Sequence, residues 1–371
     1  MTTWQRRTRT LIGLIGLGLG VIVLLTLKDR SSIQELNESL GLNPDLSFHS
    51  VDSVVTQVTG ERRNLRVEAE EHFAYSDGSS RLDGVRVTVE DENGDQILIT
   101  SREGQVGQSE HEIEVTGDVI LEASDGFSVH TEQASYDHRV GSVRISGPLA
   151  FSRGQLSGSA VGALYDDQND QLRLFSESQV TLGRLGFTSD VAVLADTSLS
   201  FSQDVLIEEG SWSTVTQAAY VQYDKAETHV ELVQLREQAR MDSLFASPGS
   251  VVMMEAREID LGYDEESGLL NNVNLLGNSE IRMAGSTPNA GERIVADSID
   301  VSLGADEGSV TFLEARENVE IDSTDGNSRT LQQIRAGIMI SDGDGTRGLT
   351  KMEFMESVVF RSLDFDSANQ R

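Results

Sequence analysis

From about residue 60 onward, apolar side chains fall at every second position. Val85, Val87 and Val89 alternate with Arg86, Thr88 and Glu90. Ile113, Val115, Val119, Leu121 and Ala123 share one parity across a glycine. The pattern recurs at Val191/Val193, Leu199/Phe201, Val215/Ala219/Val221, Ile259/Leu261/Tyr263, Ile299/Val301/Leu303, Val310/Phe312 and Met352/Phe354. Successive side chains of an extended chain point to opposite faces. Such alternation therefore calls for antiparallel strands with one dry face and one wet face. No segment beyond residue 45 has a comparable helical period. Turn sequences separate the runs: DENGD at 91–95, SDG at 124–126, DDQND at 166–170 and DGN at 325–327. A proline removes a ladder donor, and only four occur in 371 residues, which suits long uninterrupted sheets.

The strands repeat. Residues 127–151 read FSVHTEQASYDHRVGSVRISGPLAF; residues 156–180, 29 positions later, read LSGSAVGALYDDQNDQLRLFSESQV. Tyr136-Asp137 falls on Tyr165-Asp166, Val143 and Ile145 fall on Leu172 and Leu174, and Phe151 falls on Val180. In each copy a tyrosine ends a strand, an aspartate starts a turn, and another strand follows. Tyr223-Asp224 and, less regularly, Tyr263-Asp264 continue the series. A strand-turn-strand unit cannot bury its apolar face alone; it must stack on its neighbours around one long interior. That interior is lined by Val, Leu, Ile and Phe. Periodicity leaves open whether it is packed shut or splayed into a trough.

Charge and composition narrow the function classes. Asp and Glu number 61 against 29 Lys and Arg, a net charge of -32. This argues against a nucleic-acid surface, which needs a basic stripe, and disfavours anionic membrane surfaces. The acidity fits either ordinary solubility or a high-salt habitat. There is no cysteine, so disulfides, thiolate metal sites, cysteine nucleophiles and a lipoprotein anchor are excluded.

Residues 11–27, LIGLIGLGLGVIVLLTL, are uncharged, with Arg6, Arg7 and Arg9 before them and Lys28, Asp29 and Arg30 after. At about 1.5 Å per residue such a helix covers about 25 Å, slightly short of a hydrocarbon core of about 30 Å. Flanking side chains can extend the span. A cleaved signal peptide would show a small-x-small site, which is missing here. The expectation is an uncleaved transmembrane helix at 11–27 behind a cytoplasmic tail at 1–10, since the arginines stay inside. Gly16 and Gly20, with Gly13 one turn earlier, allow a partner helix to approach closely. Residues 28–59 read as a juxtamembrane spacer with a short helix, opened by the SIQE spacing from Ser32 to Glu35 and stopped by Gly41 and Pro44.

The order of these features resembles the LptC type of lipopolysaccharide-transport protein. The resemblance rests on the arginine-flanked anchor, HFAYSDGSSRLDGVRVTVEDENGDQILITSREGQV at 72–106, IEVTGDVILEASDGFSVHTEQASYD at 113–137 with its Gly117-Asp118-Val119 motif, and GQLSGSAVGALYDDQNDQLRLFSESQV at 154–180. It covers the anchor and residues 60–182. Family members usually end near residue 182, whereas this chain continues its strand pattern through 183–371. The resemblance implies an all-β fold behind the anchor, an elongated antiparallel β-jellyroll at 60–182 and a second jellyroll-like region at 183–371. That second region reads either as another LptC-like unit or as a built-in piece of the next bridge component.

The resemblance further implies an apolar trough for the acyl chains of lipopolysaccharide. The partners would be an inner-membrane ATP-driven (ABC) transporter, which Gly13, Gly16 and Gly20 would contact, and a downstream periplasmic bridge protein joined by edge-strand pairing. The candidate trough residues are Val119, Leu121, Phe127, Val129, Val143, Ile145, Leu149, Phe151, Leu156, Leu172, Leu174 and Val180. The chain would be a single-pass inner-membrane protein with its bulk in the periplasm. The alternative is a membrane-tethered structural or adhesive β-repeat protein with a closed core.

Catalytic signatures are missing. There is no GxxxxGK[ST] loop and no GxSxG elbow. The six histidines, His49, His72, His111, His130, His138 and His229, form no HxH or HExxH spacing. The expectation is a non-enzymatic protein without cofactor or metal, with an exposed carboxylate cluster on one face as the sign of the weaker enzymatic reading. Asp91-x-Asn93-x-Asp95 and Asp342-x-Asp344 are faint calcium-like spacings that lack the further loop ligands and read as hairpin turns.

Overall fold

A computed structural model describes residues 46–364, apart from short segments at 60–62, 91–95, 108–111, 138, 167–168, 170, 225–228, 246, 286, 288–289, 326–329 and 344–348. The anchor, its glycines and the short helix lie outside the described residues, as do the turn at 91–95 and Asp344.

The described residues form 22 strands and no helix. In chain order these are β1 (Leu46–Thr59), β2 (Arg63–Tyr75), β3 (Ser80–Glu90), β4 (Gln96–Val106), β5 (Glu112–Ala123), β6 (Ser128–Asp137), β7 (Ser142–Arg153) and β8 (Leu156–Asp166). Then come β9 (Gln171–Leu174), β10 (Ser178–Leu182), β11 (Leu185–Ser189), β12 (Val191–Leu194), β13 (Ser198–Glu209), β14 (Trp212–Tyr223) and β15 (Val230–Ser243). The last are β16 (Val251–Tyr263), β17 (Leu270–Ala284), β18 (Ala290–Leu303), β19 (Val310–Asp325), β20 (Thr330–Gly343), β21 (Leu349–Met355) and β22 (Val359–Asp364). The first strand thus starts at Leu46, inside the segment read as spacer. Asp52, at a positive φ of 52°, breaks the alternation there and hides the strand from a period-two scan.

All pairings are antiparallel and follow one another along the chain. Three exceptions are interrupted strands, the last being β20, which pairs through its first half with β22 and through its second half with β21. β8 pairs through its first half with β10 and through its second half with β9. β13 pairs likewise with β11 and β12. The meander crosses residue 182 without a gap, because Leu182 pairs with Leu185 across a two-residue hairpin. One apolar core runs from Leu65 to Met339.

Most strands bend near their middle, by two devices. On alternate strands two consecutive residues take positive φ: Gly117 and Asp118 on β5, Gln203 and Asp204 on β13, Glu237 and Gln238 on β15, Gly277 and Asn278 on β17, Glu317 and Asn318 on β19. The pair turns the backbone but preserves parity, so Ile113 and Val115 before it and Val119 and Leu121 after it all point inward. The intervening strands bend opposite these pairs with one residue fewer in the paired stretch, which flips their inward set from one parity to the other. On β14 this happens between Val215 and Ala218. Trp212, Thr214 and Thr216 point inward before it, and Ala219, Val221 and Tyr223 after it. Val215, grouped by alternation with Ala219 and Val221, is therefore on the wet face and exposed.

With most strands bent, the sheet folds along its corner line into a long two-walled sandwich. Alternate turns fall on opposite rims of its mouth. The turns at 124–127, 154–155, 183–184, 210–211 and 244–250 lie on one rim; those at 76–79, 195–197, 264–269 and 304–309 lie on the other. The Tyr-Asp steps are all on the second rim. Their aspartates cap the turns: Asp137 accepts from Arg139 N at 2.9 Å, Asp224 from His229 N at 2.8 Å and Asp264 from Ser267 N at 2.8 Å. An Asx turn explains the repeated aspartate. The repeated tyrosine closes the dry face at the strand end. Tyr136 and Tyr165 flank the same residue, Val143, from its two neighbouring strands.

Candidate functional site

The interior is not filled evenly. Between β3 and β12 it holds a cavity of about 380 Å³. Its lining is aliphatic and aromatic on both walls: Val89, Ile97, Leu121, Ala123, Phe127, Val129 and Leu156, facing Val143, Ile145, Tyr165, Leu172 and Leu194. Polar groups stand only at the edge: Gln96, Ser124, Asp125, Arg153 and the turn at Ala195 and Asp196. An apolar floor under a polar rim accepts an amphiphile, with hydrocarbon below and polar head above.

Of the twelve candidate trough residues, Leu121, Phe127, Val129, Val143, Ile145, Leu156 and Leu172 line this cavity. Val119, Leu149, Phe151, Leu174 and Val180 are buried in the packed core beside it. Phe127 lies half-buried at the cavity, its ring 6.0 Å from that of Phe151. Its loop is set by Asp125, whose carboxylate accepts from Phe127 N at 3.0 Å. Two glycines shape the walls here. Gly117, at φ 79°, makes the β5 corner. Gly158 lets β8 approach β10 and Phe151: a Cβ there would lie 2.3 Å from Gln179 O and 2.6 Å from the Phe151 ring.

Arg153 marks one end of the open section. Its guanidinium lies 3.1 Å from the Asp125 carboxylate on its own rim. It also donates to Asp196 O at 3.3 Å and to the Tyr223 hydroxyl at 3.4 Å on the other rim. Tyr223 in turn donates to Ala195 O at 2.9 Å.

Beyond this point the rims are joined. Tyr263 on the second rim donates to Glu209 Oε2 on the first at 2.8 Å. Arg184 spans to Glu307, and its Nε lies 3.4 Å from Glu209 Oε1. Glu307 also accepts from Leu270 N at 2.9 Å, and its carbonyl accepts from Trp212 Nε1 at 3.0 Å. Ser250 and Ser309 form an isolated antiparallel bridge across the mouth. Burial pushes the Glu209 carboxyl up to about 7, against the Tyr263 hydrogen bond and the Arg184 charge, which pull it down. Its Oε1 accepts no hydrogen bond. Burial also raises the Tyr263 hydroxyl. None of these four residues was singled out from sequence for this role. They lie at 184, 209, 263 and 307, and only the fold brings them together.

Among the described residues no group of three or more His, Asp or Glu could hold a metal ion. The described residues also include no helix long and apolar enough to cross a membrane.

Residues 14–182 match the family model for lipopolysaccharide-assembly, LptC-related proteins. No curated protein matches the chain. The match links the chain to lipopolysaccharide transport in the cell envelope. It takes in every cavity-lining residue from Val89 to Leu172 and stops short of Leu194, Ala195 and Asp196. Residues 14–182, which hold most of the open section of the sandwich, are thus similar to LptC-related lipopolysaccharide-assembly proteins.

Proposed function

We propose that the protein is a membrane-anchored periplasmic part of the lipopolysaccharide bridge. In this reading it accepts lipopolysaccharide from an inner-membrane ATP-driven transporter and holds the acyl chains in the cavity between β3 and β12. The observation that carries the reading is the cavity itself: an open apolar floor with polar groups at its edge, inside the LptC-related segment. Each acyl CH₂ removed from water contributes about 0.8 kcal/mol, so even part of one chain in this floor gives useful affinity. The uncharged segment 11–27 serves as the single inner-membrane span, with Gly13, Gly16 and Gly20 facing the transporter. The regions 60–182 and 183–371 act as two jellyroll sections in series.

Passage onward needs a partner at the end of the sheet. The sheet edge at β21 and β22 exposes Val358, Val359 and Phe360, and the edge at β1 exposes Phe48, Val51 and Val54. Unpaired edges with apolar side chains suit strand addition by neighbouring bridge proteins.

The test is to fill the cavity without adding charge. Ala123→Phe places a ring in the floor at a half-buried position. Purified protein carrying it is expected to bind lipopolysaccharide at least tenfold more weakly, with an unchanged melting temperature. Unchanged affinity in a folded variant would move the lipid site elsewhere.

A further inference from the structure

The open and joined sections share one construction. Both are bent strands with aliphatic interiors, turned by positive-φ pairs on β5 in the first and on β13, β15, β17 and β19 in the second. They differ at the mouth. Around β5–β8 the interior opens to a cavity, whereas from β13 to β19 it lies behind the tie of Arg184, Glu209, Tyr263, Glu307 and Trp212 and the Ser250–Ser309 bridge.

That tie is an odd choice for a permanent seal. The buried Glu209 carboxylate and Tyr263 hydroxyl and the half-buried Glu307 carboxylate must be desolvated to make it, while Arg184 stays exposed. Well-packed apolar residues of similar volume usually close a gap as well or better. One carboxylate oxygen of Glu209 accepts no hydrogen bond in a buried place and is met only by the Arg184 charge at 3.4 Å, a contact that water can replace on opening. The rest of the closure is light: two small serines across the mouth.

We propose that this cross-rim tie is a releasable latch. Closed, it shuts the interior of β13–β19; open, it admits acyl chains from the neighbouring trough, so that the C-terminal section is a second, gated lipid compartment. The proposal rests on the lipid-carrying reading of the open section and adds its regulation. Arg153 stands where the two compartments meet, and its donors reach both rims.

The chain has no cysteine, which allows a clean lock. Ser250→Cys with Ser309→Cys gives a bridge pair that a disulfide can join. In the full-length protein working in cells, a photo-crosslinking residue is placed at Phe127 or at Leu303. Phe127 lines the open cavity, and Leu303 ends β18 at the mouth edge of the closed section. Lipopolysaccharide adducts are expected at both positions in the reduced protein. In the oxidised protein the adduct at Leu303 is expected to fall at least fivefold while that at Phe127 persists.

Adducts at Phe127 with none at Leu303 in either state would overturn the gated compartment and leave the trough standing. Equal adducts at Leu303 in both states would show that the mouth does not gate entry. Absence of adducts at both positions would remove the lipid-carrying reading and the latch with it.

A second readout guards against a distorted lock. Tyr263→Phe removes one hydroxyl and leaves the shape. With Trp4→Phe, Trp212 is the only tryptophan, and its indole donates within the tie. Lipopolysaccharide is expected to red-shift Trp212 emission at a several-fold lower concentration in Tyr263→Phe than in its parent. An identical titration would contradict a latch role for Tyr263.

Discussion

Glu209 is a carboxyl group with two tasks that conflict. It accepts from Tyr263 across the mouth, yet it lies out of water, and burial lifts its pKa from 4.5 to about 7. The folded protein therefore holds this proton more tightly than the unfolded chain does. Below about pH 4.5 both states keep it and the group contributes nothing. As pH rises from 4.5 through 7, the unfolded chain releases it first, and stability falls, by up to about 3 kcal/mol at alkaline pH. Glu209→Gln abolishes the titration and keeps an acceptor for Tyr263. Urea denaturation at pH 5 and pH 8 is expected to show the wild type losing more stability than the variant between the two. Parallel losses would mean that Glu209 is hydrated when folded. Gly158 is a second residue whose role is steric. Gly158→Ala drives a Cβ into Gln179 O and the Phe151 ring, and a loss of about 1–3 kcal/mol is expected in thermal melts. A neutral result would require β8 and β10 to part easily.

At the level of the strand, the bend decides what the sequence reveals. Glu317 and Asn318 turn β19 while keeping parity, so Leu313 and Ala315 before them and Val319 and Ile321 after them all face inward. Removing Glu317 alone would flip every later inward residue of β19 to the wet face, whereas removing both residues conserves parity. Limited proteolysis is expected to cut the single deletion in its C-terminal third and to spare the double deletion; equal susceptibility would contradict the parity argument. These corners also explain what was legible. Alternation was readable at Ile113 to Leu121 because a glycine marks that corner. The Tyr-Asp repeat was readable because aspartate is a local turn residue that acts within its own segment. The parity flips on the intervening strands carry no such mark. At Val215 the flip therefore passed unseen, and Asp52 concealed β1 in the same way. The cavity follows the predicted inward parity, as Leu121, Val143 and Leu172 all line it. Which inward residues would border open space was beyond reach, because that depends on how far the two walls part. The tie at 184, 209, 263 and 307 depends on which turns meet across the mouth, and no local pattern encodes that.

For the whole molecule, one continuous sheet of bent strands joins an LptC-type section to an extension of the same build. Among the described residues its two unpaired edges, at β1 and at β21 and β22, lie at opposite ends of the strand order. Phe360, at 61% exposure, and Val358, at 50%, are where a downstream jellyroll would add its strand. Val358→Lys with Phe360→Lys is expected to weaken capture of the bridge partner at least tenfold and to leave lipopolysaccharide binding by the isolated protein unchanged, because the cavity lies far back along the sheet. Loss of both activities would tie the edge to the trough. For the open section, in-cell photo-crosslinking is the plainest readout of lipid in the trough. A photo-reactive residue at Phe127 looks into the cavity, whereas one at Glu122, on the neighbouring β5, is exposed on the outer face. A lipopolysaccharide adduct at Phe127 with none at Glu122 is the expected result. No adduct at Phe127 in a folded protein, or equal adducts at both positions, would contradict a lipid-carrying trough.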